Sequence, residues 1–257
     1  MAQSRFKFDS ASNYGVGTDI VSDAGTFTKL QVGSSVALNV KSSSPSPQNG
    51  SAYVYIDAAT GPTVFFNQYY FFSQTTTNYL DFFYYDNRGG SVDCEILSSG
   101  QDWYDYANGY FGFFRQSLIV QTDGTIKVRG FYTYYNPDTG DSGGFDGQVA
   151  TSSTGAIPQN AWCRIRVQVN TNYLSLIEIY KGSNILGTTP DVSVTGSVGS
   201  FPSSFDYPNY LAFFAGNTIG VGTGRFIAID DLYISDTTWP TRATSSGPTA
   251  YGPSIRR

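Results

Sequence analysis

Short runs of aromatic and β-branched residues, each followed by a cluster of turn-forming residues, recur along nearly all of this 257-residue chain. Aromatic residues make up 16 % of the sequence, and Gly, Asn, Asp, Pro and Ser fill the intervals between the runs. Such runs are typical of β-strands, and their regular spacing is typical of a sandwich or barrel. No segment shows a sustained apolar period of 3.6 residues, so any helix is expected to be short.

The pattern within the runs predicts antiparallel pairing. In Cys163–Val169 apolar and polar residues alternate, which indicates a strand with one buried face. Asp123-Gly124 carries a hairpin signal between two of the runs. The sequence therefore predicts an all-β chain, folded as an antiparallel β-sandwich. The predicted strands are Val36–Val40, Tyr53–Asp57, Val64–Phe72, Leu80–Tyr85, Val92–Leu97, Tyr110–Phe114, Leu118–Gln121, Thr125–Tyr135, Cys163–Val169, Leu174–Tyr180, Tyr210–Phe214 and Arg225–Ser235.

Boundaries between domains are weak in this sequence. Ser42–Gly50 is rich in Pro, Ser and Gly, and we interpret it as a loop because a strand of the same sandwich already precedes it. After Trp239-Pro240 the chain has little to bury. We predict a single domain over residues 1–240, with 1–30 as a candidate N-terminal arm, and a C-terminal tail over 241–257.

Composition excludes several classes of function. The chain has no His, which excludes Ser-His-Asp and Cys-His catalysis and His-ligated zinc. The formal net charge of −5 provides no basic surface for nucleic acid. The sequence shows neither an N-terminal signal peptide nor the ~20 consecutive apolar residues that span a bilayer, so no membrane partner is expected.

The two cysteines, Cys94 and Cys163, each lie on the apolar face of an alternating run. We interpret them as buried thiols. A disulfide between them is the alternative, and it requires the two residues to meet in space.

Six segments, in order, carry a resemblance to a known family. They are GSSVALNV (33–40), Tyr69–Phe72, LIVQTDGTIKVRG (118–130), PQNAWCRIRVQV (158–169), Leu174–Asn184 and RFIAIDDLYISD (225–236). The series resembles laminin-G/concanavalin-A-like jelly rolls, and it is most similar to LamG-like proteins of tailed-phage virions. This resemblance implies a jelly-roll sandwich with short terminal extensions.

The resemblance also implies a role and a location. It implies a non-enzymatic structural protein of the virion, either a capsid decoration or a tail or fibre component, held in an oligomer by contacts with other virion proteins. The alternative is an adhesin that binds glycans on the host surface. Head and tail placement stay open at this point.

A pair of catalytic carboxylates would be the main evidence in the sequence for an enzyme. Glycosidases with a concanavalin-like fold carry theirs as a close set on one strand, and retaining chemistry needs carboxyl groups about 5–5.5 Å apart. Neither Glu95 nor Glu178 lies in such a pattern. Asp93 and Glu95 share one face of a predicted strand, and we interpret them as a solvent-facing pair. We therefore predict that the chain is not an enzyme.

A crowded aromatic segment is the leading candidate for ligand or subunit contact. Aromatic rings beside carboxylates suit sugar binding, and Tyr and Trp also dominate protein interfaces. We expect this segment to form a loop, with loop packing as the third alternative. The candidate residues are Asp102, Trp103, Tyr104, Asp105, Tyr106 and Tyr110.

Two acidic segments are candidates for calcium, the one cofactor that the sequence suggests. Asp138, Asp141 and Asp146 lie among glycines, although their spacing differs from that of an EF-hand. An Asx-rich turn without an ion is the alternative. For Asp230-Asp231 we expect one carboxylate to bind loop backbone or an Arg and the other to face water, because adjacent strand residues point to opposite faces.

Overall fold

The structure, a computed structural model, is described here over twelve ranges of the chain. These contain fifteen β-strands and one 3₁₀ helix at Gly182–Asn184. No helix among these residues is long and apolar enough to cross a membrane. The ranges are 4–6, 28–32, 38–49, 53–57, 63–69, 77–89, 93–105, 108–170, 173–196, 210–216, 225–235 and 237–242.

The strands, numbered in chain order, form two antiparallel sheets. The eight-stranded sheet has the order β13 (Val192–Thr195), β12 (Tyr173–Lys181), β11 (Trp162–Asn170), β6 (Thr77–Asp86), β15 (Phe226–Ser235), β4 (Tyr53–Asp57) and β3 (Leu38–Lys41), with β1 (Ser4–Phe6) also on β15. The seven-stranded sheet has the order β10 (Ser142–Thr151), β9 (Ile126–Tyr135), β8 (Tyr110–Val120), β7 (Cys94–Asp105), β14 (Tyr210–Gly216), β5 (Thr63–Tyr69) and β2 (Thr28–Val32). The prediction of an all-β antiparallel sandwich of the jelly-roll type is confirmed.

The hydrophobic core lies between the two sheets and follows from period-2 alternation. Along β11, the side chains of Cys163, Ile165, Val167 and Val169 are all buried, as their alternation predicted. The facing sheet contributes residues of the same kind, including Leu97, Leu118, Val120, Ile126 and Val128. Both cysteines are buried thiols without a disulfide, which confirms the first interpretation. Burial raises the pKa of the Cys163 thiol well above its usual value.

Strands β7 to β10 form a continuous antiparallel meander at one edge of the seven-stranded sheet. The β8–β9 hairpin turns at the predicted Asp-Gly pair. The Thr125 amide donates to Asp123 Oδ1 over 2.8 Å, and Gly124 adopts a φ of +81°. This hairpin fixes which residues of β8 and β9 share a face.

Two strand predictions in this region are wrong. Tyr110–Phe114 and Leu118–Gln121 belong to one strand, β8, whose polar centre hides its continuity. The sequence predicts no strand over β10, because its glycines and polar residues give no apolar alternation. As an edge strand of the sheet, β10 needs less apolar surface than a central strand does.

The outer face of the eight-stranded sheet is covered by residues that follow β15. Arg242 lies with its guanidinium carbon 4.4 Å from the centroid of the Phe83 ring, and the Trp239 ring lies 4.9 Å from the centroid of Tyr79. Arg242 Nε also donates to Asp81 over 2.7 Å. The contacts of the sandwich therefore extend to Arg242, two residues beyond the predicted end of the domain, while the domain division itself stays a prediction.

Candidate functional site

An open groove of about 300 Å³ lies on the outer face of the seven-stranded sheet, across strands β7 to β10. Its lining combines charged side chains with apolar ones. The lining residues are Glu95, Phe113, Arg115, Ser117, Ile119, Arg129, Phe131 and Asp146.

Alternation and register explain why these residues meet. On β8 the odd-numbered positions from Phe113 to Ile119 face the groove, while Phe114, Leu118 and Val120 face the core. Register then places Arg129 of β9 opposite Ser117. Four side chains of β8 and Arg129 of β9 thus come to lie on one surface.

The outer strands β7 and β10 complete the groove. Asp146 of β10 lies opposite Phe131 of β9. On the other side Glu95 of β7 lies opposite Ile119, just before a register shift that ends at Leu97. Both outer strands therefore present a carboxylate to the same groove.

Glu95 is buried at the floor of the groove, with 4 % of its surface exposed. It accepts hydrogen bonds from Arg115 Nη2 and Ser117 Oγ. Arg115 Nε donates to the same hydroxyl over 3.1 Å. The interpretation of Asp93 and Glu95 as a solvent-facing pair is therefore wrong for Glu95, because Arg115 compensates its charge below the surface.

Arg129 and Asp146 form the exposed charged pair of the groove, with 38 % and 44 % of their side-chain surfaces accessible. Arg129 donates from Nε to Oδ1 and from Nη2 to Oδ2, each over 2.6 Å, so the pair is bidentate. These hydrogen bonds hold the pKa of Asp146 below its usual value. The pair presents a planar array of donors and acceptors to solvent.

Two phenylalanines provide the apolar part of the groove. The ring centroids of Phe113 and Phe131 lie 6.3 Å apart, with 54° between the ring planes. The rings lie beside the charged pairs on the same face, because Arg115 is the register partner of Phe131. The groove thus offers aromatic surface and polar groups within reach of one ligand.

The aromatic segment singled out in the sequence lies beside this region, but not in a loop. Asp102, Trp103, Tyr104 and Asp105 belong to strand β7, which runs on to Asp105, so the loop prediction is wrong for them. The backbone register places Asp102 opposite Phe113 and Tyr104 opposite Phe111. Tyr106 lies outside the described residues. The proposed role of these residues in binding stays a prediction.

Tyr110, the last residue of that segment, begins β8. Its hydroxyl donates to Asp141 Oδ2 over 2.7 Å, and this hydrogen bond raises the pKa of Tyr110. The ring packs edge-on against Tyr134, with centroids 5.8 Å apart. Tyr110 therefore joins the turn that follows β9 to the sheet.

The three calcium candidates are not gathered at one point. Asp138 and Asp141 lie in the β9–β10 turn, which Asn136 organises by accepting the amide of Asp138 over 2.9 Å. Asp146 lies in β10, bound to Arg129. Within the described ranges no three acidic or cysteine side chains form a group that could hold a metal ion. Calcium binding stays a prediction.

Asp230 and Asp231 are both buried. Asp230 Oδ2 accepts the amides of Gln48 and Asn49 over 2.9 and 2.8 Å, as expected for a carboxylate that binds loop backbone. Asp231 accepts from Arg242 instead of facing water, contrary to expectation. A register shift between Asp230 and Tyr233 interrupts the alternation and allows this.

Comparison with known proteins identifies a likeness of fold alone. No family model matches the sequence, and no curated protein matches it. The binding domain of botulinum neurotoxin DC, in complex with SialylT, is similar with a TM-score of 0.42 and 14 % identity, over 84 % of this chain and 44 % of that one. This chain spans about half the length of such toxin domains.

Two further structures are similar along most of their length. One is the carbohydrate esterase of the Shiga toxin-encoding bacteriophage phi24B, with a TM-score of 0.48 and 10 % identity, over 91 % of this chain and 97 % of that one. The other is the metal-free lectin I-B4 of Griffonia simplicifolia, with a TM-score of 0.45 and 8 % identity, over 91 % of this chain and 99 % of that one.

Proposed function

We propose that this chain is a non-enzymatic carbohydrate-binding protein of a phage particle, and that the groove on the seven-stranded sheet is its binding site. The observation that carries the proposal is the composition of the groove. Two arginine–carboxylate pairs lie beside two phenylalanine rings on one open surface.

This combination matches the chemistry of a sugar ring. The hydroxyl groups of a sugar both donate and accept hydrogen bonds, so they pair with guanidinium donors and carboxylate acceptors held side by side. The C–H groups on one face of a pyranose are apolar and pack against the electron-rich face of an aromatic ring. A volume of about 300 Å³ is at the lower end for ligand sites, which suits a small part of a glycan.

The state of Asp146 disfavours this residue as the general acid of a glycosidase. A glycosidase needs one carboxyl group whose pKa is raised, so that it holds a proton for the leaving group. The pKa of Asp146 is instead lowered by Arg129, so this carboxylate is ionised at neutral pH and accepts hydrogen bonds. We expect the protein to leave bound oligosaccharides uncleaved.

The particle location rests on the resemblance to LamG-like phage proteins and not on the groove. A sandwich that binds glycans and also contacts other virion proteins, as an oligomer, satisfies both expectations drawn from the sequence. Quantitative mass spectrometry of purified particles tests this part. Hundreds of copies per particle indicate a capsid decoration, fewer indicate a tail or fibre component, and complete absence contradicts the location.

A glycan array followed by calorimetry tests the binding site itself. We expect the chain to bind a subset of arrayed oligosaccharides, and Arg129→Ala to weaken binding at least about tenfold, or about 1.4 kcal/mol. Lys127→Ala is the matched control, because it removes a positive charge from the same face of the same strand, outside the groove lining. Binding to no arrayed glycan, or equal losses in both variants, would contradict the proposal.

A further inference from the structure

A second pair of aromatic rings lies on the same face of the sheet as the groove. Phe111 of β8 and Tyr135 of β9 are register partners, and their ring centroids lie 5.4 Å apart at an interplanar angle of 79°. The exposed fractions of the two residues are 42 % and 41 %. These rings are among the few large hydrophobic side chains that the described residues leave open to solvent.

This pair continues the line of groove residues along the strands. Phe111 is two residues from Phe113, so both project from the same face of β8. From Phe111 to Ser117 the strand advances by about 20 Å, at about 3.3 Å per residue. Thr133 lies between the two aromatic pairs and is exposed, as the register partner of Phe113. These side chains form one uninterrupted stripe, which consists of Phe111, Phe113, Arg115 and Ser117 of β8 and their partners Tyr135, Thr133, Phe131 and Arg129 of β9.

We propose that this stripe is a single extended binding track for a linear polysaccharide. The charged groove holds one part of the polysaccharide. The Phe111–Tyr135 pair forms a remote subsite that stacks against a more distant sugar. The inference rests on the proposed carbohydrate function and names the class of glycan. A single terminal sugar held between Arg129 and Phe131 could not reach a ring pair that lies roughly 13–20 Å along the strand.

The chemistry of the stripe favours a polysaccharide over a protein partner. The centre of a protein interface is depleted in charged residues. Here the Arg129–Asp146 pair and the Glu95–Arg115 pair lie toward one end of the stripe, and the aromatic rings lie toward the other. A surface that places apolar rings beside hydrogen-bonding groups suits a repeating ligand in which each unit carries both kinds of surface.

Chain-length dependence tests this inference. Disaccharides and hexasaccharides of the malto, cello, laminari and chito series are titrated into the full chain, its Phe111→Ala variant and its Phe145→Ala variant. Phe145 is the matched control, because it is 41 % exposed but pairs with Tyr132 and so lies on the opposite face of the sheet. Melting temperatures confirm that each variant is folded.

We expect a hexasaccharide to bind at least about tenfold more tightly than the disaccharide of its series, and Phe111→Ala to abolish that advantage while leaving disaccharide binding unchanged. The Phe145→Ala variant should retain the tighter binding of the hexasaccharide. Unchanged hexasaccharide affinity in Phe111→Ala would overturn the track but leave the groove in place if Arg129→Ala still loses binding. An oligomer that Phe111→Ala dissociates without affecting glycan affinity would show a subunit contact and overturn the track. Binding of no oligosaccharide in any series, together with a negative array, would contradict the carbohydrate function itself.

Discussion

Replacing Asp81 by Asn should destabilise the fold more than any exposed substitution. Asp81 is completely buried on the outer face of the eight-stranded sheet. Arg164 donates to it from Nε over 3.0 Å and from Nη2 over 2.6 Å. Arg166 donates from Nε over 3.0 Å, and Arg242 from Nε over 2.7 Å. One carboxylate thus contacts three guanidinium groups, two of which are almost completely buried.

The expected loss follows from the charge left behind. Three acidic groups, Asp81, Asp231 and Glu178, balance the three arginines. Arg242 also pairs with Asp231, and Arg166 lies 3.8 Å from Glu178. The Asn side chain keeps the shape but leaves one positive charge uncompensated. Removing one partner of a buried ion pair costs about 3–5 kcal/mol. For a chain of this size a loss of that order corresponds to a fall in melting temperature of about 10 °C.

Urea unfolding followed by circular dichroism measures this loss, and Asp146→Asn is the matched control. It makes the same substitution in the exposed Arg129–Asp146 pair, for which about 0–1 kcal/mol is expected. A difference between the two variants of less than about 1 kcal/mol would refute the argument, because it would mean that burial does not make the Asp81 interactions important.

The same site predicts a dependence of stability on pH. Burial raises the pKa of Asp81, but the hydrogen bonds and charges of Arg164 and Arg242 outweigh it and leave the pKa below its usual value of 3.8. A carboxyl group whose pKa is lower in the folded state contributes its full stability above its unfolded value, and this is lost as the pH falls through the folded value. The urea midpoint of the wild-type chain should therefore fall more steeply below pH 3.8 than that of Asp81→Asn.

Two further predictions concern a turn and the thiols. Gly124→Ala should destabilise the chain by about 1–3 kcal/mol, because φ is +81° and an added Cβ would meet the Ile157 carbonyl oxygen at 2.5 Å. Gly140→Ala, with φ of +73° and nothing within 4 Å, should cost less in the same thermal melt, and equal losses would contradict the steric argument. Cys94 and Cys163 should not react with a thiol reagent in the native chain but should both react in urea. Rapid native labelling would show that they are accessible.

Local patterns in the sequence predicted the sandwich because burial in a β-sheet is a local property. The alternation in Cys163–Val169 and the Asp123-Gly124 turn each depend on a few adjacent residues, and both are confirmed. The same alternation did not reveal that Arg164 is buried. On the outer face of β11, Arg164 contacts Tyr180 and the Gly187 carbonyl group. Arg166 contacts Trp239 and the Pro240 carbonyl group, far along the chain, and no local pattern reports on such distant segments.

The groove shows where prediction from sequence ends. Counting outward from the Asp-Gly turn would have placed Arg129 opposite Ser117, so the centre of the groove was within reach of a register argument. The flanking carboxylates, Glu95 and Asp146, could not be placed by the same argument. A register shift separates Glu95 from Leu97, and Asp146 lies in β10, whose glycines and polar residues give no strand signal.

The register shift in β7 adds a residue to that strand and changes which of its side chains face the core. In β7 this lets Ile96 and Leu97 both be buried, while Glu95 faces the groove. Strict alternation would instead place Glu95 and Leu97 on the same face. The charge that completes the Arg115 pair therefore depends on an irregularity that no period-2 pattern contains. Because the shift is set by pairing between strands, the candidate site could be identified only once the fold of the whole sheet was known.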